Sequence, residues 1–156
     1  MLNNYVLRSI RYMLDLSNNQ MVEIVKLANL TVSKTEMIHW LKKEDDPEYV
    51  ECNDKALAHF LNGFIYFRRG KNENFPAPKI ETRLTNNLIL KKLRIAFELK
   101  DTDMIEIYQK ADFRVSKPEL NALFRNPDHK NYRECGDQLL RYFLKGLTVK
   151  LRGASV

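Results

Sequence analysis

The chain has 156 residues, 44% of them hydrophobic, and its 26 basic and 20 acidic residues give a net charge of +6. This length suits one compact domain or two small ones, and no apolar run reaches the roughly 18 residues that a membrane helix needs. With two cysteines and no secretory signal pattern, we expect a cytoplasmic protein without a disulfide framework.

An internal repeat organises the chain. Residues 3–70 return as residues 86–153 at a constant offset of 83, without a gap. The two segments share 24 identities in 68 aligned pairs, where composition alone predicts about 4. A period of this length indicates a duplicated supersecondary unit. The sequence therefore predicts helical repeat 1 at 1–70, a proline-containing connector at 71–85 and helical repeat 2 at 86–153.

Four helices are predicted in each repeat, about eight in all, and no segment shows the alternation that is typical of a strand. We therefore expect an all-α fold. One of the asparagines at 3–4 would cap the first helix, and one of those at 18–19 would cap the second. Ser33 followed by Glu36 is a capping-box pattern that begins the third helix, and it recurs at 116–119.

The fourth helix is predicted to be long, from about residue 48 to 68 and, in the second copy, from about residue 131 to 151. Its apolar face would include Cys52 and Cys135. Each copy also has a glycine inside this helix, as at Gly63. A glycine there costs about 1 kcal/mol relative to alanine, so its presence in both copies predicts a close helix crossing.

Residues 23–41 resemble a helix-turn-helix. Ala28 would occupy the small place where the two helices cross, Val32 would lie in the turn, and Ile38 would face inward. An αα-hairpin that only builds the core is the structural alternative, because the outward residues of the second helix include no arginine to read bases. Three residues are nevertheless candidate contacts to nucleic acid: Lys34, His39 and Lys42.

Charge distinguishes the two copies. Repeat 1 has 9 basic and 9 acidic residues, whereas repeat 2 has 14 and 9. The acidic turn at 44–48 becomes a basic, histidine-bearing stretch at 127–131. Such a patch could hold phosphates through salt-sensitive contacts, and a solvated face is the plain alternative. The candidate phosphate contacts are Lys92, Arg114, Lys130, Arg133, Arg141 and Lys145.

Catalytic and metal-binding patterns are sparse. His39, His59 and His129 form no pair at i, i+4 spacing, which a helical metal site would need. Cys52 and Cys135 are best interpreted as buried structural residues. We therefore expect no catalytic residue, no cofactor and no metal. An enzyme built around His129 and Cys135 is kept as a minor alternative.

Several runs of residues resemble the YehS-like family of small bacterial proteins. They are 86–87, 90–97, 114–116, 127–131, 133–138 and 141–144 in repeat 2, and 60–63 and 69–70 in repeat 1. The resemblance covers essentially the whole chain. It implies a bacterial cytosolic protein that is a tandem duplicate of a domain of unknown function, and it brings no activity, cofactor or catalytic residue with it.

The sequence thus favours a non-enzymatic, regulatory binding module that engages DNA or RNA through basic repeat 2 and the helix-turn-helix-like segments. The alternative is a protein-interaction scaffold that uses the acidic turn 44–48 and the apolar face of the fourth helix. No membrane contact is expected. The two halves should pack with approximate twofold pseudo-symmetry, so that the chain is its own pseudo-dimer and either a monomer or a weak homodimer.

Overall fold

The computed structural model describes residues 2–72, 74 and 76–153. Within that part of the chain the prediction of an all-α fold is confirmed, since the structure has eight α-helices and no strand. The helices are α1 (Asn3–Met13), α2 (Asn18–Leu27), α3 (Lys34–Leu41), α4 (Asp54–Arg69), α5 (Asn86–Ala96), α6 (Asp101–Lys110), α7 (Lys117–Leu123) and α8 (Asp137–Arg152). None of these helices is long and apolar enough to cross a membrane.

The chain divides into two compact units, residues 1–84 and 85–156. Unit 1 contains α1 to α4 and the connector, and unit 2 contains α5 to α8. In each unit the second and fourth helices form the most extensive helix pair, α2 with α4 and α6 with α8. The predicted twofold relation between the halves stays a prediction.

Short polar side chains begin several of the helices. The capping boxes predicted for α3 and α7 are confirmed: the amide of Glu36 donates to the Ser33 hydroxyl at 3.0 Å, and its second copy repeats the bond at 3.2 Å. The caps predicted for the first two helices are wrong. Ser17 caps α2, and α1 begins after Leu2 without a capping side chain. The asparagines at 3–4 are buried instead.

The fourth helix begins later than predicted in both units. α4 starts at Asp54, where the side chain of Asn53 accepts the amide of Ala56 at 2.8 Å, and α8 starts at Asp137. Cys52 and Cys135 therefore precede these helices and do not lie on their apolar faces. The cause is tertiary, since buried asparagine side chains hold the backbone of the preceding loop.

Each unit is closed by an asparagine clasp, which in unit 1 is formed by Asn3 and Asn4. The Asn4 amide donates to the carbonyls of Trp40 at 2.9 Å and Val50 at 2.8 Å, and its oxygen accepts the amide of Cys52 at 3.0 Å. Buried backbone outside helices and sheets still needs hydrogen-bond partners. The Asn4 side chain provides the bonds that regular secondary structure would otherwise provide. It ties α1 to the loop before α4.

The clasp recurs in unit 2 with the same atoms. Asn87 donates to the carbonyls of Leu123 and Arg133, both at 2.9 Å, and accepts the amide of Cys135 at 2.8 Å. Beside it, the Asn86 amide donates to the Asp137 carboxylate at 2.8 Å. Three of the identities between the repeats, those of the two asparagines and of the aspartate at 54 and 137, therefore have a single structural cause.

The predicted close crossing at the glycines is confirmed. A side chain added at Gly63 would meet the backbone carbonyl oxygen of Ile24 in α2, and one at Gly146 would meet that of Ile107 in α6. The second and fourth helices of each unit therefore pack with backbone against backbone. This contact sets the position of α8, on which part of the basic surface of unit 2 lies.

Candidate nucleic-acid interface

The loop before the fourth helix keeps its shape while it changes its charge. In unit 1 the Asp46 carboxylate accepts the amide of Glu48 at 2.8 Å. In unit 2 the Nδ1 atom of His129 accepts the amide of Asn131 at 3.0 Å, at the same two positions of the repeat. Two acidic residues have thus been replaced by a histidine and an asparagine, and the hydrogen bond of the turn is preserved.

Two neighbouring pockets flank this loop in unit 2. One, of about 430 Å³, is lined by Lys117, Asn121, Arg125 and Asn131 among others. The other, of about 400 Å³, lies between the start of α5 and the loop, and its lining includes Lys91 and again Arg125. Because Arg125 borders both, the pockets form one continuous cationic surface, and we call the five residues named here the α7 surface.

In unit 1, the cation equivalent to Lys91 is bonded within the protein. Arg8 stands where unit 2 has Lys91, and its guanidinium donates to the Lys42 carbonyl at 2.9 Å while it lies 6.0 Å from the centre of the Tyr5 ring. In unit 2 the tyrosine is replaced by Leu88, and Lys91 is exposed. The cation is therefore engaged internally in unit 1 and presented to solvent in unit 2.

The structure separates the predicted phosphate contacts. Arg114, Lys130 and Arg133 are exposed near α7, and Arg133 pairs with Glu119 at 3.3 Å. The other two exposed candidates, Arg141 and Lys145, lie on α8. None of these five exposed candidates lines either pocket.

Lys92 is the exception, and its prediction as a surface contact is wrong. The residue is only 8% exposed. It lies three residues after Ile89 and one before Leu93, on the buried face of α5. Positions three and four apart share one side of a helix, so the backbone places Lys92 inward and away from any surface phosphate.

The three candidates in unit 1 differ in their surroundings. Lys34 is exposed at the start of α3, His39 lies 3.6 Å from the Glu48 carboxylate, and Lys42 is half-buried. Two details of the helix-turn-helix pattern also differ. Ala28 caps the end of α2 and does not lie within it, and Met37 is fully buried where Ile38 was expected to face inward.

Sequence comparison of the repeats missed three cations of the α7 surface. Lys91, Lys117 and Arg125 each have a basic counterpart in repeat 1, at positions 8, 34 and 42. A comparison that looks only for charge differences between the two copies does not detect cations that both copies share. A local pattern identifies two of them, because Lys117 and Arg125 lie eight residues apart, at the start of one short helix and just after its end.

The cysteines show no sign of activation. Burial raises the pKa of the Cys52 thiol to about 12, with Asp54 adding to the effect, and burial raises the pKa of Cys135 to about 11. A nucleophilic cysteine needs a lowered pKa and access to solvent. Among the described residues, no three histidines, cysteines or carboxylates group as metal ligands would.

Comparison with known proteins gives one family and one close relative. The family model described as "Protein of unknown function (DUF1456)" matches residues 3–70 and, a second time, residues 86–153. The chain is 51% identical over 150 residues to "Uncharacterized protein YehS" of Escherichia coli (strain K12), and the match covers 96% of each chain. No solved structure matches the chain.

Proposed function

Because the chain belongs to the DUF1456 family, whose function is unknown, as a tandem duplicate of its domain, we propose a function from the interface itself. The protein is a non-enzymatic binding module that holds the phosphates of a nucleic acid on the α7 surface of unit 2. The observation that carries this proposal is the loop whose turn is kept while the two acidic residues that form it are replaced, beside cations that converge on Arg125.

Charge and shape both support phosphate binding. The α7 surface combines the three cations Lys91, Lys117 and Arg125 with the amide side chains of Asn121 and Asn131. Positive side chains and amide donors are the groups that contact phosphate oxygens in nucleic-acid complexes.

An aromatic ring adds a second means of contact. Tyr132 lines the pocket that also contains Lys91 and Arg125, and its side chain is half-buried. Bases of a single strand stack on such rings next to a charged groove. This arrangement favours single-stranded nucleic acid over a duplex.

The same geometry supports a role without catalysis. The Cys135 thiol is 2% exposed, and its raised pKa keeps it protonated at neutral pH. His129 uses its Nδ1 atom to accept a backbone amide within the turn. Neither residue is therefore presented as a nucleophile or base to a common pocket.

The scaffold alternative rests mainly on the acidic turn. On the apolar face of α4, Leu57, Phe60 and Phe64 are fully buried, so this face offers a partner little apolar area. The acidic turn 44–48 is largely exposed. A protein partner would therefore have to be recruited by charge.

A direct test measures the affinity of the purified protein for single-stranded RNA and mixed duplex DNA at two salt concentrations. We expect binding in the micromolar range or tighter that falls steeply with salt. Lys117→Glu should weaken it at least tenfold. Lys34→Glu is the matched control, since Lys34 is exposed at the same position of repeat 1.

The pair of variants also separates the hypotheses. Equal loss in both variants would indicate general charge attraction, and loss only in Lys34→Glu would move the site to the helix-turn-helix-like segment of unit 1. Absence of binding by the unchanged protein at low salt would overturn the proposal for nucleic acid altogether.

A further inference from the structure

The connector of unit 1 runs back along α4. It begins after Gly70 at the end of that helix. Near its other end, Leu84 donates its amide to the Asp54 carboxylate at 3.0 Å, at the start of the same helix. Between these points, prolines 76 and 78 line a pocket together with Ile65 and other residues at the end of α4. An extended segment is therefore docked antiparallel to a helix.

The connector follows one side of α4. The connector meets α4 at Asp54, Ile65 and Arg69. At 3.6 residues per turn, these three residues lie on the same side of the helix as Ala58 and Asn62. Ala58 is 0% exposed and Asn62 is 2% exposed. This side of the helix is thus buried along the path of the returning chain.

The equivalent side of α8 carries exposed, positively charged residues. Ala58 and Asn62 correspond to Arg141 and Lys145, and Arg69 corresponds to Arg152. All three cations are exposed. We call this side, with Asp137 at its start, the α8 stripe.

Asp137 is oriented like the carboxylate that holds the connector. In unit 1 the Asn3 amide donates to Oδ1 of Asp54 at 2.8 Å, which leaves Oδ2 to accept the amide of Leu84. In unit 2 the Asn86 amide donates to Oδ1 of Asp137 at the same 2.8 Å. The Oδ2 atom of Asp137 is therefore positioned to accept a backbone amide in the same way.

From this correspondence we propose that the α8 stripe docks an extended acidic peptide segment of a partner protein, as α4 docks the connector. A backbone amide of the peptide binds Asp137, and its carboxylates bind Arg141 and Lys145. This interaction is separate from the nucleic-acid surface and does not depend on it.

Spacing selects a peptide with alternating acids. Side chains four apart on a helix, such as Arg141 and Lys145, are about 6 Å apart at their Cβ atoms. Alternate side chains of an extended strand are separated by about 6.6 Å on one face. Acidic residues at positions i and i+2 of the peptide therefore match the two cations.

Chemistry favours a peptide over a nucleic acid at this stripe. Asp137 is exposed at one end, and its carboxylate accepts hydrogen bonds from N–H donors. A peptide supplies the backbone N–H that such a carboxylate accepts, whereas a sugar–phosphate backbone supplies no amide.

The probe is a peptide derived from the connector. A fluorescent peptide of residues 70–84 carrying Lys79→Glu and Arg83→Glu has acids at positions 79, 81 and 83, because residue 81 is already glutamate. Fluorescence anisotropy with the full chain should show saturable binding. A peptide of the same composition with its acids consecutive should bind at least fivefold more weakly.

Variants of the full chain locate the site. Arg141→Glu with Lys145→Glu should reduce affinity for the alternating peptide at least tenfold. Lys117→Glu with Arg125→Glu, which changes charge equally on the α7 surface, should change it less than twofold. Far-UV circular dichroism checks that both variants stay folded, as expected for exposed positions.

Several results would overturn the proposal. They are failure of the unchanged protein to bind the alternating peptide, equal binding of the consecutive-acid peptide, and greater loss in the α7-surface variant. Loss of oligonucleotide binding, but not of peptide binding, in the Arg141→Glu and Lys145→Glu variant would assign the stripe to nucleic acid.

Discussion

Individual buried polar residues hold these units together. Asn4 and Asn87 are 1% and 7% exposed, yet each uses its amide for two donated bonds and one accepted bond. A buried polar group is tolerated only when it is satisfied in this way. The identity of the residue is therefore fixed by three backbone groups on two other segments, the end of the third helix and the loop before the fourth, and not by its own helix.

Asn87→Ala should be strongly destabilising. It leaves two carbonyls and one amide of unit 2 without their partner, and each lost bond of a buried group costs about 1 kcal/mol or more. We expect a loss of about 3 kcal/mol in the free energy of unfolding, measured by urea denaturation with circular dichroism. Asn121→Ala on the exposed face of α7 is the control and should change stability by less than about 0.5 kcal/mol.

Tyr108 offers the opposite case. It is fully buried against the rings of Phe113 and Phe143, and its hydroxyl is the one tyrosine oxygen in the described residues that is buried without a hydrogen-bond partner. Desolvation raises its pKa. Tyr108→Phe removes an unsatisfied group and keeps the ring, so thermal denaturation should show unchanged or higher stability, by up to about 1 kcal/mol. A clear loss would reveal a hidden partner.

The two cysteines predict a dependence on alkaline pH. Their thiols have raised pKa values in the folded protein, about 12 for Cys52 and about 11 for Cys135. The folded state thus favours the protonated thiol, and this stabilisation is complete below the pKa of about 8.5 of a free thiol and is lost as pH rises toward 11 and above. Urea denaturation between pH 8 and 10.5 should show falling stability, and a Cys52→Ala, Cys135→Ala variant should show a smaller pH-dependent decline.

At the scale of the elements, the glycine crossings decide how the helices pack. Gly146→Ala would drive a methyl group into the Ile107 carbonyl, and neither backbone can move without repacking the unit. Overpacking of this kind costs about 1–3 kcal/mol or more. Gly136→Ala is the matched control, because no atom lies within 4 Å of its added carbon and its φ is −71°. Similar unfolding midpoints for the two variants would contradict the crossing.

Local signals predicted some elements well and others poorly. The boxes at Ser33 and Ser116 act within four residues, so the sequence alone located the starts of α3 and α7. The starts of α4 and α8 were placed about six residues too early. In the stretch before each helix, the backbone amide of Cys52 or Cys135 is bonded to an asparagine 48 residues away. In unit 2, Gly136 provides no capping side chain.

At the scale of the whole molecule, duplication hid part of the candidate site. The change in net charge between the repeats pointed to unit 2, but Arg125 and Lys117 were not selected because Lys42 and Lys34 have the same charge. What differs between the copies is the hydrogen bonding around these cations. Arg8 binds the Lys42 carbonyl in unit 1, and only the folded structure shows which copy of a shared cation is already engaged.

Salt dependence tests the extent of the interface. Three phosphate contacts on a single strand predict a slope of about −2 for the logarithm of the binding constant against the logarithm of salt concentration, since each contact contributes about −0.7. Lys117→Glu with Arg125→Glu should reduce the magnitude of this slope to about 0.7 or below. A slope that stays near −2 in that variant would place the contacts elsewhere on the protein.

The asparagine clasp also orders the events of protein synthesis. Its bonds join residues 36 to 51 positions apart, so α1 leaves the ribosome before the residues that it binds have been synthesised or have emerged. Domains generally fold as units, the N-terminal one first. Unit 1 can close its clasp only after Asp54 has emerged, and it acquires its last bond with Leu84. A nascent chain arrested with residues 1–60 outside the ribosomal tunnel therefore has every residue of the clasp available but not the connector, and α1 can already be held in place at this length.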